Sequence, residues 1–280
     1  MNEIIIKNSI FPEEKELFSW DENALEAFKK RINEEGMKCR VDDIFLLGFL
    51  RAKSFDVEKS LDLLKNYYNI RVQYLQYFKD LLPSKVEHAL SLNCVQFMPK
   101  PDQKGRYIFI NRVGNWKTSI SNAADLFRAS LLHFDFQLNF HRTQVNKIVC
   151  ITNAAGFSTS HFFQVTPKLI NGIVNILFKD SNQIQYSELH VVNMNFIMKA
   201  VVKLFLPLLP REIKNMLYFH SGLGNLHELV SPDCLPSELG GNLPSFDPTE
   251  ANNMLKANEE FFRINEEYLM MYKEEIDKNI

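Results

Sequence analysis

The sequence predicts an α/β protein in which an all-helical N-terminal domain precedes a mostly parallel β-sheet with flanking helices. Over roughly the first 80 residues, apolar side chains recur with the period of an α-helix. After residue 105 the pattern changes, because short runs of β-branched and aromatic residues alternate with helical segments. Strands separated by helices favour a parallel sheet that is covered by those helices.

Three amphipathic helices are expected in the N-terminal part. Apolar side chains keep helix spacing from Leu25 to Ile32. Asp42 or Asp43 is placed to cap a second helix, because an aspartate side chain can accept hydrogen bonds from the first free backbone N–H groups. Asp56 is expected to cap a third helix for the same reason.

The second half of the chain contains four predicted strands. A proline-rich segment at 81–103 is predicted to be irregular. Helices are expected at 122–141, up to 178, at 195–209 and at 249–276. The predicted strands are 107–113, 147–152, 188–193 and 216–220.

The composition indicates a large apolar interior and argues against nucleic acid as a partner. Hydrophobic residues make up 46% of the 280 residues, and there are 23 phenylalanines. The net charge of −2 leaves no excess of basic side chains for phosphate contacts. The first residues lack the pattern of a signal peptide, and the four cysteines are far apart. We therefore expect a cytoplasmic protein with reduced thiols.

The segment 195–209, NFIMKAVVKLFLPLL, is unusually apolar for a helix on a protein surface. Its only charges are Lys199 and Lys203, one helical turn apart. Fifteen residues are too few to cross a bilayer, and Pro207 and Pro210 interrupt or end the helix. Two uses remain open for it, as a wall of the core or as a lid over an apolar cavity.

Five segments follow one another in order between about residues 22 and 247. Their order and spacing resemble the CRAL-TRIO (Sec14-like) lipid-binding family, most closely its tocopherol- and retinaldehyde-binding members. The segments are 42–68, GRYIFINRVGNWK at 105–117, AAGFSTSHFFQVTPKLI at 154–170, 189–222 and LPSELGGNL at 235–243.

The resemblance implies how the chain is divided. It predicts a helical domain at 1–93 and a lipid-binding domain at 94–248, whose sheet forms the floor of an apolar pocket. The helix at 195–209 falls where the family has its mobile lid. Residues 249–280 remain as a C-terminal amphipathic helix.

The same resemblance implies which side chains line the pocket, although all of them would also suit an ordinary packed core. Polar contacts are expected from Ser130 and Tyr186, with Ser158 and Asn193 as further candidates. The predicted apolar lining from the sheet and its helices is Phe127, Leu131, Phe134, Ile148, Ile151, Leu177, Phe178, Leu189 and Val191. The predicted lining from the lid is Phe196, Ile197, Val201, Phe205 and Leu206.

A transient membrane surface is the second expected partner, reached through the lid. Phe196, Val201, Phe205 and Leu209 are proposed to meet the interface as a hydrophobic lipid passes. Long basic side chains can extend to headgroups from an apolar helix. The predicted membrane contacts are Lys199, Lys203, Leu209, Arg211 and Lys214. The alternative is that both lysines belong to the solvated face of a packed helix.

Weak or no phosphoinositide selectivity is predicted, because this chain departs from the relatives that bind these headgroups. Where they carry basic residues before the strand LHVVN, this chain has Gln185, Tyr186 and Ser187. Glu212 and Met216 occupy two further positions that are basic in those relatives, although Arg211 and Lys214 lie nearby in the sequence. Gly48 also stands where those relatives usually have a basic residue.

Neither an enzyme nor a metal or cofactor is expected. The sequence assembles no nucleophile, base and oxyanion donor. His161 is read as a helix cap and His190 as a core residue. The leading hypothesis is a soluble carrier that transfers a tocopherol-, retinoid- or isoprenoid-like lipid between membranes. The alternatives are a membrane- or protein-interaction module with a vestigial pocket and, as a remote case, a lipid-modifying enzyme using His220 or Ser221.

Overall fold

The computed structural model describes residues 18–278. The first 17 residues, on which the prediction of no signal peptide rests, and residues 279 and 280 lie outside this range. The N-terminal part is helical, as predicted, and Asp21, Asp42 and Asp56 cap its first three helices. The helices are α1 (Glu22–Glu34), α2 (Asp43–Ala52), α3 (Val57–Gln73), α4 (Leu75–Phe78) and α5 (Glu87–Leu90).

A five-stranded sheet follows, with its strands in chain order from one edge to the other. The first strand is antiparallel to the second, and the remaining pairs are parallel, which confirms the mostly parallel sheet. The strands are β1 (Val95–Phe97), β2 (Tyr107–Arg112), β3 (Ile148–Asn153), β4 (Tyr186–Val192) and β5 (Leu217–Phe219). The prediction missed β1, a three-residue strand within the segment expected to be irregular.

Helices connect the parallel strands. The segment expected as one helix up to residue 178 forms two, because Thr166 caps a new helix that has Pro167 at its first position. The helices of this part are α6 (Ala123–Gln137), α7 (His141–Asn146), α8 (Thr159–Phe162), α9 (Pro167–Leu177), α10 (Phe196–Phe205) and α11 (Arg211–Met216).

The two faces of the sheet belong to different apolar clusters. Tyr107 and Phe109 of β2 lie in the larger cluster with α6, whereas Ile108 and Ile110 lie in a smaller one on the other face. Alternation along a strand produces this division. The smaller cluster is completed by α12 (Leu223–His227) and the turns after it, through Leu226, Val230, Leu235 and Leu239.

The double glycine of LPSELGGNL closes the cover over this second face. Gly240 has a φ of 69°, in the left-handed region that favours glycine. A Cβ at Gly241 would lie 2.0 Å from the carbonyl oxygen of Leu235. Both positions therefore require glycine.

The C-terminal segment forms two helices instead of the single helix expected, α13 (Thr249–Ala257) and α14 (Glu259–Lys278). Asn258 separates them, and its side-chain amide donates to the carbonyl of Met254 at 2.9 Å. The second helix packs on the N-terminal helices, where the Tyr272 hydroxyl donates to Asn69 at 3.0 Å. The last helix is therefore part of the same packed body.

Two buried arginines tie the helices to one another. Arg71 of α3 donates to both carboxylate oxygens of Asp135 on α6, at 2.9 and 2.6 Å. Arg40 contacts Asn139, just beyond α6, and Asn265 on α14.

Candidate functional site

Most of the predicted pocket residues converge between the sheet and α6, α9 and α10. They share one apolar cluster on the inner face of the sheet. The members that are buried there are Phe127, Leu131, Phe134, Ile148, Leu177, Tyr186, Leu189, Val201 and Phe205, with Phe178 and Ile197 partly buried against them. Val191 is also buried, two residues beyond Leu189 on the same strand.

Ile151 was expected in this set, but it lies on the other face of the sheet. Side chains alternate along a strand, so Ile148 and Ile151, three residues apart, point to opposite sides. Ile151 packs in the smaller cluster with Ile108 and Leu226. It therefore belongs to the wall behind the sheet.

Three further residues were predicted to line the pocket, but their side chains are not among those buried in the cluster. The Ser130 hydroxyl donates to the carbonyl of Leu126 at 3.1 Å, so the backbone of its own helix uses it. Phe196 is 81% exposed at the start of α10. Leu206 is half-buried in the turn that follows α10.

The remaining polar candidates have partners within the protein. The Asn193 amide donates to Asn153 at 3.0 Å, and Ser158 takes part in the cap of α8. Asn193 has a φ of 55° in the bend that leads from β4 into α10. These side chains shape the connections around the cluster.

Aromatic rings occupy part of the inner cluster. The ring of Phe134 is 4.6 Å from that of Phe109 and 5.6 Å from that of Phe97. Phe127 meets Tyr77 edge-on at 5.2 Å. The inner face of the sheet near β1 and β2 is consequently filled by aromatic side chains.

An open pocket of about 380 Å³ adjoins this cluster near the first residues of β4. Its volume falls in the range of small-molecule sites. Three of its wall residues, Leu177, Phe178 and Tyr186, were predicted from the sequence. The other residues around it are Ala52, Lys53, Leu63, Lys179, Asp180, Asn182, Ile184, Gln185 and Met216.

The mouth of this pocket is polar. The Lys53 ammonium lies 2.5 Å from the Asp180 carboxylate, which joins α2 to the segment after α9. The Gln185 amide donates to the carbonyl of Ala52 at 3.5 Å. The rim of this pocket therefore combines charged and amide groups with the apolar wall that Leu177 and Phe178 provide.

Helix α10 has apolar side chains on two opposite sides. Val201 and Phe205 are buried in the inner cluster. Phe196 and Leu204 are exposed, as is Leu208 in the turn beyond the helix, at 81%, 56% and 65%. The Asn195 side chain caps the helix by accepting from Met198 N–H at 3.0 Å.

The predicted membrane-contact residues divide into two groups. Lys199, Lys203 and Arg211 are exposed, and their charged groups have no hydrogen-bond or ion-pair partner among residues 18–278. Lys214, by contrast, donates to the carbonyl of Pro207 at 3.0 Å, and Leu209 is half-buried. Lys214 therefore fastens the turn after α10.

The family comparisons bear on these features. The CRAL/TRIO domain matches residues 92–241, just over half of the chain. An alpha-tocopherol transfer protein-like protein of Mus musculus is 30% identical over 246 residues, which are 87% of this chain and 71% of that protein. Clavesin-1 of Xenopus laevis is 31% identical over 211 residues, 74% of this chain and 63% of that protein. This chain belongs to the CRAL/TRIO family.

Membership of the CRAL/TRIO family confirms the resemblance drawn from the five segments. It supports lipid binding or lipid transfer as the general function. A crystal structure of Sfh5 aligns with 84% of this chain and 96% of that chain, at 12% identity and a TM-score of 0.44, too low to bear on the assignment. Between residues 18 and 278, no helix of this CRAL/TRIO protein is long and apolar enough to cross a membrane.

His161 and His190 of this CRAL/TRIO protein have structural partners. His161 Nδ1 accepts from Ser158 N–H at 2.9 Å, and its Nε2–H donates to the Trp116 carbonyl at 2.7 Å. His190 lies behind the sheet, 2.9 Å from His220 and 3.3 Å from Glu188. Burial lowers the pKa of His190 to about 4, so it is neutral at physiological pH.

Sequence reasoning missed several residues of the site. Leu204 and Leu208 carry the exposed apolar side of α10 and the turn after it, and Phe163, 78% exposed, follows α8, which packs near α10. The outward position of Leu204 was not readable from its neighbours, because consecutive helix residues are about 100° apart, and Leu204 lies between exposed Lys203 and buried Phe205. Leu63 and Met216 line the pocket from distant parts of the chain, which no local pattern reveals.

Proposed function

We propose that this protein binds a small hydrophobic lipid on the inner face of its sheet and transfers it between membranes, with α10 as a lid. The observation that carries the proposal is the two-sided apolar character of α10. Val201 and Phe205 cover the interior, while Phe196, Leu204 and the adjoining Leu208 face solvent. A packed core helix has no need of the second apolar surface, whereas a lid that opens against a membrane does.

The magnitudes agree with such a carrier. A ligand that hides roughly 500 Å² of apolar surface gains about 12 kcal/mol at about 25 cal/mol per Å². Association costs of roughly 4 to 15 kcal/mol oppose this gain. The difference leaves at most about 8 kcal/mol, a dissociation constant of about 1 μM or weaker, which allows a carrier to release its ligand. A tocopherol-, retinoid- or similar isoprenoid-like lipid fits the apolar walls, and the alpha-tocopherol transfer protein-like relatives support that class.

The proposed membrane contact combines the exposed apolar residues with nearby basic side chains. Phe196, Leu204 and Leu208 would enter the interface, while Lys199 and Lys203 extend to the headgroups. The protein would then be cytoplasmic and peripherally, transiently membrane-associated.

Phosphoinositide selectivity is proposed to be weak or absent. Two of the three positions before LHVVN are engaged elsewhere, since Gln185 bonds to α2 and Ser187 accepts from Arg106. Lys214 is occupied by the Pro207 carbonyl. We expect equal sedimentation with vesicles that contain or lack phosphoinositide. A clear preference that disappears in Lys214→Ala would contradict this.

A second candidate is an interaction module in which the interior is filled by its own side chains. The close rings of Phe97, Phe109 and Phe134 favour it, because they leave no space near β1 and β2. Native mass spectrometry of protein purified from its source, followed by organic extraction, separates the two functions. A carrier should yield a stoichiometric lipid. Absence of lipid, together with failure to bind a hydrocarbon probe, would favour the module.

A further inference from the structure

The hydroxyl of Tyr186 is a buried polar group without a partner. Tyr186 is the first residue of β4 and is 9% exposed. No hydrogen-bond partner for its hydroxyl is present among residues 18–278. Buried hydroxyl groups are nearly always hydrogen-bonded, because losing water without replacement costs free energy. Such an orphan therefore needs an explanation.

The pocket beside β4 offers one, because Tyr186 is part of its wall; the hydroxyl oxygen is covered by neighbouring side chains, which a ligand would displace to reach it. The phenol ring lies 4.5 Å from the ring of Phe178 and 6.1 Å from that of Phe134. These contacts hold the ring within apolar surroundings at the boundary between the pocket and the inner cluster.

The polar neighbours of Tyr186 along the chain are engaged elsewhere. Gln185 donates to the carbonyl of Ala52. Ser187 accepts from Arg106. Neither side chain is a hydrogen-bond partner of the Tyr186 hydroxyl in the structure.

We propose that the Tyr186 hydroxyl is the polar anchor for the bound lipid, which carries one neutral oxygen group, an alcohol, phenol or carbonyl. This inference rests on the proposed carrier function and narrows its ligand class. A pure hydrocarbon would leave the hydroxyl unpaired. A carboxylate held beside Tyr186 would need several donors to replace its hydration. At the rim, Lys53 already pairs with Asp180, and Lys179 is exposed to solvent, away from the buried hydroxyl.

The protonation state of the anchor fits a neutral ligand. Burial raises the pKa of Tyr186 well above its ordinary value, so the phenol keeps its proton. A neutral phenol can donate to a carbonyl or hydroxyl oxygen, and it can also accept from an alcohol.

The test uses the full chain and the variant Tyr186→Phe, which removes only the hydroxyl. The hydrocarbon fluorophore 1,6-diphenylhexatriene reports the pocket itself. Farnesol and farnesene, an isoprenoid alcohol and a closely related hydrocarbon, are then compared by displacement. We expect Tyr186→Phe to weaken farnesol about 3- to 10-fold, the range of one net hydrogen bond. Farnesene and the fluorophore should stay within about twofold.

The control variant is Tyr218→Phe, which removes a hydroxyl from a partly exposed tyrosine on β5. It should change none of the three affinities. Thermal unfolding of the lipid-free proteins adds an independent readout. Removing an orphan hydroxyl should leave the midpoint of Tyr186→Phe unchanged or higher, and a lower midpoint would reveal a partner within the protein and overturn the inference.

The outcomes separate this inference from the carrier function. If wild-type protein binds both probes and Tyr186→Phe weakens neither, or weakens both equally, the anchor is wrong and the carrier proposal stands. If wild-type protein binds neither the fluorophore nor farnesol, the carrier proposal fails and the anchor fails with it.

Discussion

At the scale of single residues, the pair of Arg71 and Asp135 is the strongest polar link between the N-terminal helices and the sheet domain. Both side chains are buried, and the guanidinium also lies 4.0 Å from the ring centre of Tyr67 and 4.3 Å from that of Phe78. A buried charge that loses its partner is costly, because neither water nor a counter-charge replaces it.

We expect Asp135→Ala to lower the free energy of unfolding by about 3–5 kcal/mol, since Arg71 would remain buried and unpaired. Urea unfolding measures the change. The matched control is Glu267→Ala, which breaks a solvent-exposed pair with Arg263 and should cost at most about 1 kcal/mol. A loss at Asp135 no larger than that of the control would contradict the assignment.

At Gly48 this chain lacks a side chain that the family usually has, and another residue fills the space. The resemblance places a basic side chain at this position. A Cβ there would lie 1.3 Å from the Gln183 side-chain oxygen, so Gln183 occupies the space beside the helix. The sequence reveals that the basic residue is missing, but not what takes its place.

At the scale of the elements, α10 has a buried side and an exposed side, and substitutions on these two sides report different properties. Phe205 is 6% exposed in the inner cluster. Replacing it with aspartate would bury a charge and unfold the helix region, so it cannot report membrane contact alone. Leu204 and Leu208 are exposed and can be changed with little effect on folding.

We expect the double variant Leu204→Asp, Leu208→Asp to reduce vesicle binding at least about tenfold, because each change removes apolar area and adds a charge at the interface. Co-sedimentation and the rate of lipid transfer between vesicles measure the effect. Binding of 1,6-diphenylhexatriene in solution should be unchanged.

Met271→Asp serves as the control, because it places the same charge at an exposed apolar residue of α14, and it should leave vesicle binding unaltered. Transfer at the wild-type rate by the α10 double variant would remove the lid from the membrane step.

At the scale of the whole molecule, two buried histidines couple stability to pH. Burial lowers the pKa of His133 and of His190 to about 4, from an ordinary value of 6.5. Below pH 6.5 the unfolded chain binds protons at these positions while the folded protein does not. The free energy of unfolding is therefore at its full value above pH 6.5 and decreases as the pH falls towards 4.

We expect the free energy of unfolding to be flat above pH 6.5 and to fall below it, by up to about 1.4 kcal/mol per pH unit for each histidine. Urea unfolding from pH 7.5 to pH 4.5 measures the slope. His133→Asn should reduce it, because this variant lacks one of the two buried imidazoles. A slope unaffected by His133→Asn would show that other groups carry the acid sensitivity.

Features that depend on residues close together in the sequence were predicted more successfully than features that depend on distant residues. The caps at Asp42 and Asp56 were predicted because capping depends on a few adjacent residues. Strand β1 was missed because three residues become a strand only by pairing with β2. Ile151 was placed beside Ile148 although alternation along the strand already separates them, so this error was in the use of a local pattern and not in its range.

The sequence by itself determined the family, the order of the four parallel strands with helices between them, and the presence of an unusually apolar helix within 195–209. These follow from local periodicity and from motifs that lie close together along the chain. Only the tertiary structure decided which side of α10 is buried, where the open pocket lies, and that the Tyr186 hydroxyl lacks a partner. Burial and hydrogen bonding join residues far apart in the chain, so they become defined only when the chain has folded.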